Sequence, residues 1–277
     1  MARQSYGRAV TRYFQSYVFA PRYRPDEALA LVTEDGVRLA GARLAGPADA
    51  FASVVLVHGF VHSCRTPGIY RFAHALAREV DVWVPELRGH GRSEGFSTLG
   101  RDEPLDVKAA VAAARSARPD LPVVTVGISL GGASVLLHGG TYGGVAGVVA
   151  ISSPAWWGAW DTPATHRLRR YAMTRAGRAV AARVLRTRVA AHCEGVPDAR
   201  EVAAAISPAF ALVVHDPEDH YFGVEHPRTL YGWLNEPKAL WFEEATGHGT
   251  DLLTPAFTAR LLAELRARIV TGGAASN

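Results

Sequence analysis

The stretch from Val123 to Ser134 constrains this chain more than any other. It reads Val-Val-Thr-Val-Gly-Ile-Ser-Leu-Gly-Gly-Ala-Ser. An apolar, β-branched run enters a Gly-x-Ser-x-Gly turn, and an Ala/Ser/Leu-rich helical pattern leaves it. That order is a strand, a sharp turn and a helix, with the Ser129 hydroxyl lifted clear of the strand. The backbone at such a turn is so crowded that the residues two before and two after, Gly127 and Gly131, must lack side chains. The Leu130 N–H then lies at a helix N-terminus, where unpaired donors and the positive end of the dipole favour an oxyanion. A five-residue pattern also arises by chance in a glycine-rich chain, but its strand-before, helix-after context favours the turn.

The surrounding pattern sets the fold class. Strand-like runs at 53–57, 82–85, 146–152, 210–214 and 239–242 alternate with helical patterns at 69–80, 102–117, 227–235 and 255–270. Such alternation predicts an α/β fold with a mostly parallel sheet covered by helices on both faces. Leu29–Thr33 and Val37–Leu44, joined by Glu34-Asp35-Gly36, predict an edge hairpin. Residues 4–20 place Tyr6, Val10, Tyr13, Phe14 and Tyr17 at helical spacing between arginines. Such a helix packs its aromatic face on the domain or meets an interface. From Pro154 to Pro208 strand signals stop. Trp156, Trp157 and Trp160 come first, then an arginine-studded helical run from His166 to about Ala191 that Gly177 is placed to split. A stretch this long between strands predicts a helical cap over 155–208, inserted between core segments 1–154 and 209–277. The tail from Thr271 to Asn277 is expected to fray.

Composition excludes several alternatives. A chain of 277 residues with 20% charged residues and mean hydropathy of +0.03 fits one soluble globular domain and contains no apolar run that spans a bilayer. The pI near 9.3 comes from arginine, since Lys108 and Lys238 are the only lysines. Together with heavy alanine use, this resembles the codon bias of a high-GC bacterial genome. No basic stripe is interleaved with aromatics, so a nucleic-acid partner is not expected. Cys64 and Cys193 are too few for a disulfide framework and read as free thiols. The N-terminus lacks a continuous apolar segment with a cleavage site, so a cytoplasmic protein is expected.

A serine hydroxyl becomes a nucleophile when a base takes its proton, and the base needs an acid behind it. In a parallel sheet these groups belong to loops at the carboxyl ends of strands. His58-Gly59-Phe60 follows one such strand; Gly59 lets the Phe60 N–H approach that of Leu130 as a second oxyanion donor. His58 is read as bracing that loop, in preference to a base or half of a metal pair with His62. His215-Asp216-Pro217-Glu218-Asp219-His220 offers the acid, and Gly247-His248-Gly249 offers the base. Asp216 and Glu218 are rivals of Asp219, and a metal site built from His215, Asp216, Asp219 and His220 is the minor alternative. The loop Arg88-Gly89-His90-Gly91-Arg92-Ser93 lacks the phosphate-cradle pattern and reads as a rigid connection near the site entrance.

On His58-Gly59-Phe60, Arg88 to Ser93, Gly127 to Gly132, the Asp219 loop and Gly247-His248-Gly249, nearly the whole chain resembles the α/β-hydrolase family. Within it, the chain looks most like the serine-aminopeptidase-like and monoacylglycerol-lipase-like branch. The resemblance implies a chain order of serine, acid and histidine, met by Ser129, Asp219 and His248. One departure stands out: Asp216 occupies a position where relatives carry glycine. The resemblance further implies a serine hydrolase cleaving carboxylic esters of small to medium apolar acyl groups, with no cofactor or metal. Trp156, Trp157 and Trp160 would line the acyl pocket or pack cap against core. A thioesterase or acyl-transfer enzyme served by an acidic acyl carrier is the runner-up, motivated by the arginines of the cap. A non-catalytic ligand-binding member of the fold is the third reading.

Overall fold

A computed structural model of the chain describes residues 24–156, 162–193, 195–244 and 247–273. The expected helix at 4–20, Trp157 and Trp160 lie outside the described residues. Among those described, one sheet contains β1 (Glu27–Val32), β2 (Arg38–Leu44), β3 (Ser53–Val57), β4 (Asp81–Pro85), β5 (Val123–Ile128), β6 (Gly147–Ile151), β7 (Phe210–His215) and β8 (Lys238–Phe242), in the order β1-β2-β4-β3-β5-β6-β7-β8. The β1–β2 and β2–β4 pairings are antiparallel and the rest are parallel. The expected edge hairpin is therefore present, and the carboxyl ends of β3 through β8 open on one side of the sheet.

Every residue of β3 through β7 is buried, which is why these strands read as continuous apolar runs instead of alternating ones. Helices α1 (Pro67–Leu76) and α7 (Pro255–Gly273) cover one face through Ile69, Phe72, Leu76, Phe257, Leu261 and Leu265. On the other face lie α2 (Glu103–Ala117), α3 (Leu130–Tyr142) and α6 (Glu225–Trp233), with Val107, Val111, Val135, Leu136 and Leu230 in the core. Gly232 sits exposed in α6 with nothing within 4 Å of where a Cβ would stand. Gly232→Ala is therefore expected to stabilise the protein by about 0.5–1 kcal/mol, because it removes unfolded-state freedom without a clash. A higher urea midpoint at unchanged slope would show it.

Between β6 and β7 run α4 (Pro163–Met173) and α5 (Arg175–Val184), followed by 3-10 turns at 199–201 and 203–206. Here the structure departs from the sequence expectation in three respects. The helical run breaks at Thr174, not at Gly177: Thr174 is extended, donates its hydroxyl to the Arg170 carbonyl and accepts the Gly177 N–H at 3.0 Å as the cap of α5. The run also stops at Val184, short of Ala191, because Arg186 takes a left-handed φ of 50°. Thr187 and Val189 then make single bridges to His90 and Ser97, so the stretch is not free of extended pairing.

Those bridges show what the glycines after β4 do. Gly89 has φ +74°, and a Cβ there would stand 2.4 Å from the Arg188 carbonyl oxygen and the Ser97 nitrogen. This close approach allows Arg188 N–H to donate to Gly89 and Ser97 N–H to donate to Arg188. The buried Arg88 guanidinium bonds Asp106 and Asp35 at 2.8 Å each, so the loop is a rigid connection tied to the segment after α5.

Candidate active site

Ser129 occupies the turn between β5 and α3 with φ 54° and ψ −115°, a conformation that an L-residue keeps only where its surroundings impose it. Its N–H donates to the Ile151 carbonyl at 2.8 Å and its carbonyl accepts the Ala133 N–H at 3.1 Å. The flanking glycines explain the tolerance: a Cβ on Gly127 would stand 2.1 Å from the Gly131 carbonyl oxygen, and one on Gly131 would stand 2.3 Å from that of Val57. The hydroxyl is thus held half-buried at the carboxyl edge of the sheet.

His248, from the loop after β8, places Nε2 at 3.0 Å from Ser129 Oγ and Nδ1 at 2.6 Å from Asp219 Oδ2. The other Asp219 oxygen accepts the Tyr221 and Phe222 N–H groups at 2.7 and 3.2 Å. Burial works against the ionised carboxyl, but the facing His248 and these donors outweigh it and hold Asp219 below the ordinary carboxylate value. The rival acids are engaged elsewhere. Asp216 accepts the N–H groups of Glu218 and Gly247, and Glu218 itself is exposed. Of the three carboxyls in this loop, Asp219 is the one against the imidazole.

The Phe60 loop passes beside the serine: a Cβ on Gly59 would lie 3.3 Å from Ser129 Cβ. Among the described residues, neither the Phe60 nor the Leu130 N–H has a hydrogen-bond acceptor. His58 braces the loop as read from sequence, with Nδ1 on the Gly59 carbonyl at 2.8 Å and Nε2 accepting the Leu87 N–H at 3.0 Å. The histidines of the other loop take no common ligand: His215 Nε2 donates to the Phe222 carbonyl, and His220 is exposed beside Tyr221. Among the described residues no group of three His, Cys, Asp or Glu side chains is placed to hold a metal ion.

The fold adds an aromatic wall around His248. Tyr221 and Phe222 stand 4.5 and 5.7 Å from its ring, and Phe222 meets His226 edge-on at 5.2 Å. Trp156 stacks on His226 at 4.1 Å, packing the first residues after β6 against α6. The signal was present as Tyr221-Phe222 directly after the acid, but only the fold aims it at His248.

Burial drives the imidazoles of His58, His90 and His138 down, to about 3, 4 and 4. Folded-state values below the unfolded 6.5 mean that the unfolded chain binds these protons first. Their stability contribution is complete above pH 6.5 and is lost as pH falls toward 4, by roughly 1.4 kcal/mol per pH unit for each ring. Urea midpoints are expected to fall steeply between pH 6.5 and 4.5. A flat profile would contradict neutral burial of these rings.

Comparison with known proteins agrees with this architecture. A monoacylglycerol lipase of Mycolicibacterium smegmatis is 32% identical over 109 residues, 37% of this chain and 37% of that relative, so the match spans well under half of either. An esterase structure from Pyrococcus furiosus superposes with TM-score 0.71 at 19% identity, covering 90% of this chain and 98% of that one. A malate-bound thermophilic esterase from Thermogutta terrifontis gives TM-score 0.67 at 20% identity, covering 88% and 99%. At these identities the superpositions speak for the fold. The family model of the alpha/beta hydrolases matches residues 54–273, from within β3 to the last residue of α7. A match that carries through every strand after the hairpin cannot come from one serine motif, and the chain belongs to the alpha/beta hydrolase family.

Proposed function

We propose that the protein is a serine hydrolase of carboxylic esters that works through an acyl-enzyme on Ser129. The observation that carries this reading is the continuous hydrogen-bonded chain Ser129–His248–Asp219, with 3.0 and 2.6 Å links. His248 Nε2 takes the Ser129 proton as Oγ attacks the acyl carbon. The Phe60 and Leu130 N–H groups hold the oxyanion, and the imidazolium formed is stabilised by Asp219. His248 then returns the proton to the leaving alkoxide, and a water activated by the same imidazole releases the acid. The chemistry needs no cofactor. Residues 155–208 act as a cap over this site, and Trp156 at its base bounds a pocket for a small or medium apolar acyl group.

A second reading rests on charge. Residues 162–193 carry eight arginines and no acidic residue, and Arg169, Arg170, Arg175, Arg183 and Arg186 are exposed without an ion-pair partner among the described residues. An acyl group delivered as a thioester by an acidic carrier protein would suit such a surface, using the same three residues. Rates on an acyl-thioester and its matched oxygen ester, at low and high salt, separate the two. Ester hydrolysis independent of salt is expected; a thioester preference that salt abolishes would replace it.

A further inference from the structure

His248 lies between two glycines in left-handed conformations, Gly247 at φ +104° and Gly249 at φ +64°. Such a pair frees the backbone on both sides of the one ring that must stay in register. The strand before it cannot supply the restraint, because β8 is the half-exposed edge of the sheet. The restraint comes from two neighbouring strands instead. Asp216, just after β7 and fully buried, accepts the Gly247 N–H on Oδ2 at 2.6 Å and the Glu218 N–H on Oδ1 at 2.8 Å. Ser152, just after β6 and also fully buried, accepts the Gly249 N–H on Oγ at 3.0 Å. Ser152 is itself held at φ 49°, with its own N–H donating to the Val214 carbonyl at 2.9 Å.

We infer that Asp216 and Ser152 form a two-sided clamp that positions His248 for catalysis, one gripping the amide before the ring and the other the amide after it. The inference rests on the reading of Ser129, His248 and Asp219 as the reacting chain, and assigns the pair no contact with substrate. Asp216 has a second effect. Because its other oxygen holds the Glu218 N–H, one carboxylate ties the base loop to the turn that presents Asp219, fixing base and acid relative to each other. A group that must sit within a fraction of an ångström of its partner needs such support, since a displacement near 1 Å costs on the order of 100-fold in rate.

The test uses Asp216→Asn, Ser152→Ala and the double variant in the full chain. Asparagine keeps the volume of aspartate, but its carbonyl accepts from only one of the two amides and its NH2 faces the other. With a short-chain p-nitrophenyl ester, Asp216→Asn is expected to lower kcat about 10- to 100-fold and Ser152→Ala about 3- to 10-fold. KM should stay within about twofold, and the double variant should lose less than the product because both act on one loop. The low-field proton resonance of the short His248–Asp219 bond should weaken or vanish in Asp216→Asn while circular dichroism stays unchanged. If Asp216→Asn does not fold, Ser152→Ala carries the test alone through the same readouts. Unchanged kcat with a wild-type resonance in the folded variants would overturn the inference, as would a raised KM with kcat and resonance intact. Ester turnover that survives Ser129→Ala would remove the catalytic reading by itself, while the resonance would still report whether the pair holds His248.

Discussion

Ser129→Ala is expected to lower kcat/KM for short-chain esters by about 10⁴-fold or more while leaving the thermal midpoint close to that of the wild type. The size of the effect follows from what remains. In the proposed mechanism, loss of Oγ removes the acyl-enzyme and leaves His248 with the Phe60 and Leu130 N–H groups only to assist direct attack by water. The small effect on stability follows from the turn: the strained φ of 54° is imposed by the close approach of β5, α3 and the Phe60 loop, and alanine inherits it unchanged. Among the described residues the hydroxyl's side-chain partner is His248 Nε2, on a half-buried ring that water can reach, so no deeply buried group is orphaned. A fluorophosphonate probe gives the measurement directly, as a mass increase located on Ser129 in the wild type and absent from the variant. Ester turnover retained by the folded variant would end the serine-hydrolase reading, and probe attachment elsewhere would move the nucleophile.

What the sequence makes legible is what short-range chemistry controls. The β5–Ser129–α3 unit is readable because its steric demands lie within five residues, and the glycine contacts bear this out: Gly127 and Gly131 crowd each other. The His248 loop is readable because flanking glycines are a local device. The choice among Asp216, Glu218 and Asp219 is different in kind. All three are carboxyls within four residues, and what separates them is the Gly247 amide, some thirty residues on, which takes Asp216 out of competition. The same limit explains the misplaced helix break. Gly177 is the weaker helix former, but Thr174 wins because its hydroxyl both accepts the Gly177 N–H and donates to the Arg170 carbonyl. Trp156 shows the limit from the side of specificity: its residue type suits a pocket wall, and its described partner is the buried His226.

Gly131→Ala is the second large expected effect, and it acts on the fold before it acts on the chemistry. A Cβ at this position would stand 2.3 Å from the Val57 carbonyl oxygen and 2.7 Å from that of His58. Both obstacles are backbone atoms at the carboxyl end of β3, a strand paired on both sides in the middle of the sheet, so neither can swing away as a side-chain tip would. Relief requires α3 to withdraw from the sheet or β3 to shift, and either opens the interface that Leu130, Val135 and Leu136 fill. A cost above about 4 kcal/mol is expected, in the range reserved for forced overpacking at a special backbone site. In a domain of this size that lowers the thermal midpoint by roughly 8 °C or more. Gly232→Ala makes the control, since the same added methyl meets nothing there. Whatever fraction of Gly131→Ala folds should also be slow to label with the fluorophosphonate probe, because the shift that accommodates the methyl displaces Ser129 from His248 and the Leu130 N–H from the Phe60 loop together. A wild-type midpoint for Gly131→Ala would mean that α3 does not press on β3 at the turn, and the steric account of the Gly-x-Ser-x-Gly motif in this chain would fall with it.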